Sequence, residues 1–414
     1  MRILLLVETL GIGGLPNYVL ALARALTAHG DQVAVAHASL TLPAHLDTAG
    51  LELLRLASEP LTTDRGATEA LRRMHAWQPT LVHVHLCSAL ALLEALPRLE
   101  VPLLRSFHDY SSLCLRRGRR RFPGDRCQRP LGWSCLAYGC GIAPPLPGGY
   151  RPGLANLPGK LRERALYREF AMAVVGSQHM RQVLLLNGFA AEKVHVLPYF
   201  SRFDRQALGY GGPPDDALAD APAPCTLRLL FAGQAIKGKG LEVLLRALAR
   251  VQGAWQLKAV AAGPRLSQAK SLAQRLGIAA QVDFIEWVPQ DQLASYYRWA
   301  DLFVLPSIWD DPGPLVGIES LSFATPVLAF PVGGIADYVL HDVTGWLTEH
   351  ASTDSLALWL QHALAERARL PGLGQAGRVL VTHQHTREAH VARLHRLYES
   401  LPIWRPLTWG AGAE

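Results

Sequence analysis

Residues 301–340 of this chain read DLFVLPSIWDDPGPLVGIESLSFATPVLAFPVGGIADYVL. Two short apolar runs, residues 302–305 and 327–330, enclose an acidic, proline-containing loop and a short helical segment, and a Gly-Gly turn follows at 333–334. Apolar runs bounded by Pro and Gly that alternate with helical segments are typical of parallel βαβ units. The stretch therefore predicts two strands of a parallel α/β sheet.

The helix between these strands is predicted to begin with an anion-binding site. Pro312 and Pro314 suit its first turn, where the missing N–H of proline costs nothing. The amides that would point out of the helix start are those of Leu315, Val316 and Gly317. Two carboxylates flank them, Asp311 before the helix and Glu319 within it, with seven residues between. Since amides bind phosphate and carboxylates bind sugar hydroxyls, the pattern favours a nucleotide-sugar site over the alternative of a loop acid and a solvated helix residue.

Length and composition indicate a folded protein of two domains. A chain of 414 residues is too long for one ordinary core and suits two domains of about 200 residues each. The sequence has no apolar run long enough to cross a bilayer, and the apolar start at residues 3–7 is too short for a signal peptide. We therefore expect a cytoplasmic protein. The net charge of +7 comes mostly from arginine and is compatible with a phosphorylated substrate or an anionic membrane face.

A glycine-rich turn, Gly-Ile-Gly-Gly at residues 11–14, follows the first predicted strand. Its spacing differs from the G-x-G-x-x-G of dinucleotide-binding folds. The second predicted strand, residues 32–36, is followed by His-Ala-Ser and lacks an acid for a ribose hydroxyl. A nicotinamide cofactor is therefore not expected.

Histidines mark the ends of two predicted strands. His83 and His85 share one face of their strand, which is a spacing that can bind metal, but the sequence offers no evident third ligand nearby. We therefore favour a polar strand end near a cleft. His108 follows the next predicted strand, residues 101–107. On its residues alone, His108 is equally well explained as a hydrogen-bonded histidine and as a site residue.

The composition changes sharply in an insert at residues 114–142. Four cysteines, Cys114, Cys127, Cys135 and Cys140, cluster around an arginine run at residues 116–121. Four thiols in a cytoplasmic protein suggest zinc more than disulfides, but the insert lacks a Cys-x-x-Cys pair. A structural insert without metal is the favoured alternative. The arginines are candidates for contact with an anionic lipid-linked acceptor or with membrane headgroups, against the alternative of a solvated loop.

Residues 206–224 are rich in Gly, Pro, Ala and acids, and they predict an interdomain linker. After the next predicted strand, residues 233–240 read GQAIKGKG, one residue short of a P-loop, with Gly240 where a Ser or Thr would hold magnesium. A glycine turn, a helix start and the cations of Lys237 and Lys239 predict phosphate binding. A P-loop-like nucleotide- or nucleic-acid-binding protein remains an alternative.

These motifs resemble glycosyltransferase family 4, the retaining enzymes of the GT-B fold that include transferases of cell-envelope synthesis. Asp311-x7-Glu319 resembles the family's acid-x7-Glu element, with Asp for the usual Glu, and residues 333–337 resemble its Gly-Gly-x-x-Glu turn, again with Asp. Lys239-Gly240 matches the family's phosphate site, in which Gln234 replaces an Arg. The resemblance spans nearly the whole chain and is strongest from about 227 to 347.

The resemblance also implies roles for individual residues. Asp311 would hold hydroxyls of the donor sugar, His108 would face that sugar from the first domain, and Lys239 would neutralise the diphosphate; these three are the expected catalytic residues. Glu319 would hold the ribose, and the glycine turn of residues 11–14 would lie at the cleft. The donor-binding residues expected on this basis are Gly13, Gly14, Gln234, Lys237, Lys239, Leu315, Val316, Gly317 and Glu319.

The fold implied is α/β of the GT-B type, in which two Rossmann-like domains face each other across a cleft and a C-terminal helix crosses back to the first domain. We expect an acceptor domain at residues 1–205 that carries the insert at 114–142, and a linker at 206–224. A nucleotide-sugar domain is expected at 225–385. The helix and tail that return to the first domain would occupy residues 386–414.

The function implied is retaining transfer of a hexosyl unit from a nucleoside-diphosphate sugar to a hydroxyl acceptor, a glycan or a lipid-linked molecule of cell-envelope or exopolysaccharide synthesis. We expect no cofactor, no catalytic metal and no nucleic-acid partner. The basic charge also suggests peripheral association with the inner face of the membrane. Another GT-B enzyme, such as a nucleotide-sugar epimerase or a phosphorylase, is the nearest alternative.

Overall fold

The computed structural model of the chain describes residues 1–11, 14–39, 42–43, 46–120, 126–143, 153–203, 226–286 and 288–401. Gly13, the predicted linker at 206–224, Arg121 and the tail after residue 401 lie outside these ranges. The predictions made for them are therefore not addressed by the structure.

The strands of the first half, in chain order, are Arg2–Val7 (β1), Gln32–His37 (β2), Glu52–Arg55 (β3), Leu81–Leu86 (β4), Leu103–Phe107 (β5), Ile142–Ala143 (β6), Gly153–Leu154 (β7), Met172–Val175 (β8) and Val194–Val196 (β9). Those of the second half are Leu227–Gln234 (β10), Trp255–Ala262 (β11), Val282–Ile285 (β12), Leu302–Leu305 (β13), Val327–Ala329 (β14) and Gly345–Leu347 (β15).

The helices, in chain order, are Gly14–Ala28 (α1), Asp64–Trp77 (α2), Leu90–Ala95 (α3), Ser134–Ala137 (α4), Leu157–Glu169 (α5), Gln178–Leu186 (α6), Leu241–Leu248 (α7), Leu266–Arg275 (α8), Gln290–Trp299 (α9), Leu315–Ser322 (α10), Thr353–Ala365 (α11), Leu370–Gln384 (α12) and Arg387–Glu399 (α13). Short 3₁₀ turns connect several of them, including Lys237–Lys239 and Ile335–Asp337.

Two parallel sheets form the framework of the molecule. The first sheet has the order β3-β2-β1-β4-β5-β8-β9 and the second the order β12-β11-β10-β13-β14-β15, while β6, which begins at the last residue of the insert, and β7 form a separate antiparallel pair. Helices cover the sheets, so the central strands are apolar throughout, as in the fully buried run from Ile3 to Val7. The prediction of two Rossmann-like α/β domains is confirmed.

The stretch at residues 301–340 adopts the predicted strand–loop–helix–strand order. Strands β13 and β14 are parallel neighbours, with Phe303 opposite Val327. One detail was wrong: α10 begins at Leu315, and Pro314 is its N-cap residue, so both prolines precede the helix instead of lying in its first turn. The carboxyl ends of β10 and β13 face the same edge of the sheet, where open α/β sheets bind their ligands.

The last helix, α13, packs against the first domain although it follows the second domain in sequence. His390 on α13 lies 2.9 Å from the hydroxyl of Tyr18 on α1. Tyr398, near the other end of α13, lies 2.8 Å from Nδ1 of His83 on β4. These contacts confirm that a C-terminal helix crosses back to the first domain.

Candidate functional site

The loop after β10 is held in a tight conformation against the loop after β13. Gly240 adopts φ +76°, and a Cβ there would lie 1.8 Å from the carbonyl oxygen of Pro306, so only glycine fits. The amide of Ile308 donates a hydrogen bond to the carbonyl of Gly238 (2.9 Å). This turn places the side chain of Lys239 at the carboxyl edge of the second sheet.

Lys239 and Asp311 meet at this edge. Nζ of Lys239 forms an ion pair with Oδ2 of Asp311, whose side chain is 10% exposed. The backbone of Asp311 is fixed by the Gly-Gly turn, because the amide of Gly334 donates to the Asp311 carbonyl (2.8 Å). Gly333 adopts φ +60°, and a Cβ there would lie 2.0 Å from that same carbonyl oxygen. The two residues predicted for sugar and diphosphate therefore bind each other in this arrangement.

The start of α10 lies next to this ion pair. Its N-cap residue, Pro314, provides no side-chain acceptor for the amides of the first turn. Those amides, on Leu315, Val316 and Gly317, lack partners within the helix by its geometry and so are available to an anion. The hydroxyl of Tyr338 donates to the Pro314 carbonyl (3.0 Å) and fixes the helix start.

Glu319 lies within α10 and is fully buried. Its Oε1 accepts a hydrogen bond from Nε of Arg202 (2.5 Å), and its Oε2 accepts one from the hydroxyl of Tyr297 (3.1 Å). Burial acts to lower the pKa of Arg202, but the Glu319 carboxylate outweighs it and the pKa is raised, so the guanidinium stays charged. Protein donors therefore occupy both carboxylate oxygens of the residue predicted to hold the ribose.

His108 lies half-buried at the end of β5, on the first-domain side. Its Nε2 lies 3.0 Å from Nδ1 of His85, and its Nδ1 lies 3.0 Å from the hydroxyl of Tyr199. Burial, followed by the charges of Arg105 and His390, lowers the pKa of His108 to about 3. The ring of Tyr199 in turn lies against Gly313, where an added Cβ would be 3.1 Å away. A neutral His108 thus reaches the acidic loop through Tyr199.

A buried row of histidines continues from His108 into the first domain. The rings of His83 and His85 stack with centroids 4.2 Å apart, and Nε2 of His83 lies 2.8 Å from the hydroxyl of Ser106. Burial lowers the pKa of His83 to about 3 and the pKa of His390 to about 4. Both ring nitrogens of His83 thus lie at hydrogen-bond distance from hydroxyl groups, those of Tyr398 and Ser106. The interpretation of this strand end as polar and metal-free stays a prediction.

The two domains touch directly at the candidate site. Ser177 Oγ donates to the Pro312 carbonyl (2.5 Å), and the amide of Gln178 at the start of α6 donates to Oδ2 of Asp337 (2.6 Å). From the insert, Arg126 forms an ion pair with Asp310 beside Asp311. The insert therefore contacts the acidic loop of the second domain as well as the domain that carries it.

The four insert cysteines are free thiols. Among the described residues, no three of them bring their sulfur atoms within 4.8 Å of one another. Burial, together with the neighbouring Cys114 and Cys135, raises the pKa of the Cys140 thiol, and a protonated thiol is a poor metal ligand. Among the described residues of the insert, the structure therefore shows no group of three sulfur atoms already placed for one metal ion.

The remaining predicted residues lie at the rim of the site. Gln234 ends β10 and is exposed, as is Lys237 in the following turn. A cavity of about 100 Å³ opens beside Lys237, next to the ion pair of Arg265 and Glu242. Gly14 is the exposed first residue of α1, with open space where a Cβ would stand.

Three residues that contact the predicted site were not found from the sequence: Arg202, Tyr297 and Tyr199. Each lies far along the chain from the residue it contacts, and none belongs to a recognisable motif. The only available signal is the aromatic and basic segment Tyr-Phe-Ser-Arg-Phe at residues 199–203, which precedes the predicted linker.

Two family models match this chain. Residues 12–200 match the model described as Glycosyltransferase Family 4, and residues 226–379 match the model described as Glycosyl transferases group 1. Together the two matches take in most of both domains.

Curated relatives are about one third identical to this chain within the regions that align. A D-inositol 3-phosphate glycosyltransferase of Catenulispora acidiphila is 33% identical over 216 residues, which is 48% of this chain and 49% of that protein. A GDP-mannose-dependent phosphatidylinositol monomannoside mannosyltransferase of Mycobacterium tuberculosis is 32% identical over 166 residues, 38% of this chain and 43% of that protein. The chain thus spans about half, or less than half, of the length of the curated relatives that it matches.

Solved structures with the same fold cover nearly the entire chain. The sucrose-phosphate synthase of Thermosynechococcus elongatus superposes with a TM-score of 0.70 at 21% identity and covers 96% of this chain and 98% of its own. The Anabaena protein HepE in complex with UDP superposes with a TM-score of 0.72 at 17% identity and covers 97% and 100%. At such identities the likeness concerns the fold, which is that of GT-B glycosyltransferases.

Proposed function

Since this chain belongs to the family 4 glycosyltransferases and carries their group 1 glycosyl transferase half, we propose that it transfers a hexosyl unit from a nucleoside-diphosphate sugar to a hydroxyl acceptor with retention of configuration. The single observation that carries the proposal is the juxtaposition of Lys239, Asp311 and the start of α10 at the carboxyl edge of the second sheet. A cation, a carboxylate and free helix amides are what a pyrophosphate and a sugar require in one place.

The Lys239–Asp311 ion pair suggests how the donor is received. The diphosphate binds Lys239 and the helix amides, and a sugar hydroxyl donates to Asp311. The donor thus replaces one internal ion pair by one ion pair and one charge-assisted hydrogen bond to itself. Departure of the diphosphate is the difficult step, and stabilising its growing charge supplies the largest share of catalysis. Lys237, exposed in the same turn, adds a second cation that compensates for Gln234, which stands where the family has an arginine.

His108 and Glu319 support the donor from two sides in this proposal. His108 is neutral and forms a hydrogen bond to the sugar from the first domain, for which Tyr199 must yield Nδ1. Glu319 holds the ribose, for which Arg202 must yield one of the carboxylate oxygens. Gly14, at the start of α1, offers close backbone approach, the same role is proposed for Gly13 from the sequence, and Gln234 lies at the rim. No cofactor and no metal are required.

The relatives suggest the classes of donor and acceptor. HepE was solved with UDP and with UDP-glucose, and the mycobacterial relative is GDP-mannose-dependent and acts on a phosphatidylinositol monomannoside. We therefore favour a uridine or guanosine diphosphate sugar as donor and a glycan or lipid-linked acceptor of cell-envelope or exopolysaccharide synthesis. Nucleic acid is not an expected partner.

Peripheral association with the inner face of the membrane is also proposed, and the protein is expected to be cytoplasmic. Among the described helices none is long and apolar enough to cross a bilayer. The insert, however, exposes three large apolar side chains, Trp133, Leu136 and Ile142, and Leu154 on β7 is exposed as well. Leu136 lies against Gly141, and Ile142 pairs with Leu154 across β6 and β7. Exposed arginines of the same insert complement an anionic surface.

A thermal-stability screen tests the proposed function most directly. Uridine, guanosine and adenosine diphosphates and their sugars are added to the protein, and a selective binder raises the melting temperature by mass action. The stabilising sugar nucleotide is then incubated with and without glycan and lipid extracts, and the products are analysed. A glycosylated acceptor supports transfer, whereas an epimerised sugar or a sugar phosphate would assign the cleft to the epimerase or phosphorylase alternatives. A P-loop ATPase is not supported, because the group 1 glycosyl transferase match covers residues 233–240.

A further inference from the structure

Two histidines and one aspartate converge where the C-terminal helix meets the first domain. His29 follows α1, Asp31 precedes β2, and His395 lies on α13. One ligand atom from each lies within 4.8 Å of the others. None of the three has a role in the proposed transfer reaction.

The end of α1 explains why His29 and Asp31 point the same way. The amides of His29 and Asp31 both donate to the carbonyl of Leu26 (3.1 Å each), and Gly30 between them adopts φ +105°. Gly30 ends the helix in a left-handed conformation, which glycine adopts without the steric penalty that other residues have there. The third side chain, His395, arrives from the other end of the sequence.

The distances suit a small metal ion. Nε2 of His395 lies 2.5 Å from Oδ2 of Asp31, Nδ1 of His29 lies 3.8 Å from the same oxygen, and the two imidazole rings have centroids 4.2 Å apart. Ligand atoms at the usual 2.0–2.1 Å from a tetrahedral Zn²⁺ stand about 3.3 Å apart. The separations from Asp31, 2.5 and 3.8 Å, bracket that value, and the ligand atoms of the two histidines lie within 4.8 Å of each other. Side-chain adjustments of about an ångström would therefore complete the geometry.

A simple ion pair between Asp31 and His395 is the competing explanation. It leaves the second imidazole unexplained, because Nδ1 of His29 lies against Oδ2 of Asp31 at a distance beyond a hydrogen bond. The other oxygen of Asp31 is already engaged, accepting from the nitrogen of Met1 (2.8 Å). The Asp31 side chain is 3% exposed, whereas that of His29 is 48% exposed. The cluster therefore combines a buried anion with a solvent-facing ligand that gives an ion and a water molecule access.

We propose that His29 Nδ1, Asp31 Oδ2 and His395 Nε2 bind a divalent transition metal, with Zn²⁺ the first candidate and water in the fourth position. Two imidazoles and one carboxylate favour Zn²⁺, Co²⁺ or Ni²⁺ over Mg²⁺ and Ca²⁺, which prefer oxygen ligands throughout. The ion joins α13 to the α1–β2 turn. Because two ligands come from the first domain and one from the C-terminal helix, binding stabilises the contact between them.

The test uses full-length protein stripped of metal with a chelator, titrated with Zn²⁺ and Co²⁺ by calorimetry, absorption spectroscopy and thermal melting. His29→Ala is the primary variant because its side chain is half exposed, His395→Ala is the second, and His75→Ala, an exposed histidine on α2, is the matched control. We expect wild type and control to gain melting temperature with Zn²⁺. His29→Ala should bind Zn²⁺ about ten- to a hundredfold more weakly than wild type. Removing a residue that only hydrogen-bonds to a metal ligand already has an effect of this size.

Cobalt separates this site from the insert cysteines. Thiolate ligands give Co²⁺ an intense sulfur-to-metal absorption that imidazole and carboxylate ligands do not, so the proposed site should bind cobalt without it. Equal zinc responses in wild type, His29→Ala and His395→Ala would overturn the proposal, as would a thiolate spectrum unaffected by either substitution. A His395→Ala protein that is less stable than wild type but keeps the full zinc response would also contradict the proposal. It would mean that His395 only forms an ion pair with Asp31.

Discussion

Arg202 covers Glu319: its Nε lies 2.5 Å from Oε1 of a carboxylate that is wholly shielded from solvent, across 117 positions of sequence. Arg202 lies in sequence just before the predicted interdomain segment of residues 206–224, and Glu319 belongs to the helix that faces the proposed donor. The contact therefore connects the path of the chain between the domains with the residue assigned to the ribose.

Glu319→Gln should affect binding and stability together. The substitution removes a charge-assisted hydrogen bond of about 1.5–3 kcal/mol, so we expect the affinity for the stabilising nucleoside diphosphate to fall about tenfold or more. It also removes the charge that Glu319 presents to Arg202, which costs about 3 kcal/mol in buried pairs, or less here because Arg202 is partly exposed. Calorimetry and urea unfolding measure the two effects. Lower stability at unchanged affinity would restrict Glu319 to a structural role.

Lys239→Ala should weaken nucleoside-diphosphate binding by about tenfold or more, because a charged hydrogen bond to phosphate is lost. Lys270→Ala is the matched control, since Lys270 pairs with the exposed Glu286 on the outside of α8. Calorimetric titration with the same nucleotide compares the two variants. If both bind as tightly as wild type, the phosphate site does not include Lys239.

Gly240→Ala and Gly277→Ala form a matched pair. Both glycines adopt left-handed conformations, at φ +76° and +72°, so both substitutions carry about 1–2 kcal/mol of backbone strain. Only at Gly240 would the new Cβ also strike backbone, 1.8 Å from the Pro306 oxygen, while nothing lies within 4 Å at Gly277. We expect a larger fall in melting temperature for Gly240→Ala, with loss of nucleotide binding. Equal effects would mean that the loop after β10 accommodates the methyl group.

Stability should decline as the pH falls below about 6.5. Burial lowers the pKa of His83 to about 3 and the pKa of His390 to about 4 in the folded protein, whereas unfolded histidines titrate near 6.5. Between these values the unfolded state binds more protons, so each such histidine removes about 1.4 kcal/mol of stability per pH unit.

Urea unfolding at pH 7, 6 and 5 measures this slope. His83→Gln should reduce this slope by the contribution of one histidine. His75→Ala, which removes an exposed histidine, should leave the slope unchanged. A slope that His83→Gln leaves intact would mean that His83 is protonated in the folded protein.

The exposed apolar side chains of the insert are expected to bind anionic vesicles. Trp133→Ser/Leu136→Ser should lower co-sedimentation with phosphatidylglycerol-containing vesicles about tenfold or more, since burying one large apolar side chain contributes about 1.5–3 kcal/mol. Leu358→Ser, at a residue 71% exposed on α11 in the second domain, is the control. Wild type that binds neither neutral nor anionic vesicles would exclude the insert as a membrane contact.

Residues 301–340 show which features could be predicted from the sequence. Alternation of apolar runs with Pro and Gly is a local property, so β13, α10 and β14 were predictable, and the crossing of α13 followed from the family resemblance. Lys239 and Asp311 were assigned to one site in the same way, but their mutual ion pair was not foreseen, because side-chain pairing across 72 positions leaves no periodic trace.

The insert illustrates the other limit. Its cysteines and arginines were visible in the sequence, but the contact of Arg126 with Asp310 depends on how the two domains close on each other. The same holds for Tyr199, which joins His108 to Gly313 from a segment with no motif of its own.

The return of α13 to the first domain has a consequence for biosynthesis. The sheet that contains His83 is complete in sequence at Val196, yet the hydroxyl of Tyr398 that binds His83 is translated some two hundred residues later. When only the amino-terminal half has left the ribosome, α13 has not yet been made. The surface of the first domain that α13 later covers, which includes His83, is therefore still exposed. Final packing of the earliest-made half has to wait for nearly the last segment to emerge, so maturation of the two halves is coupled in time.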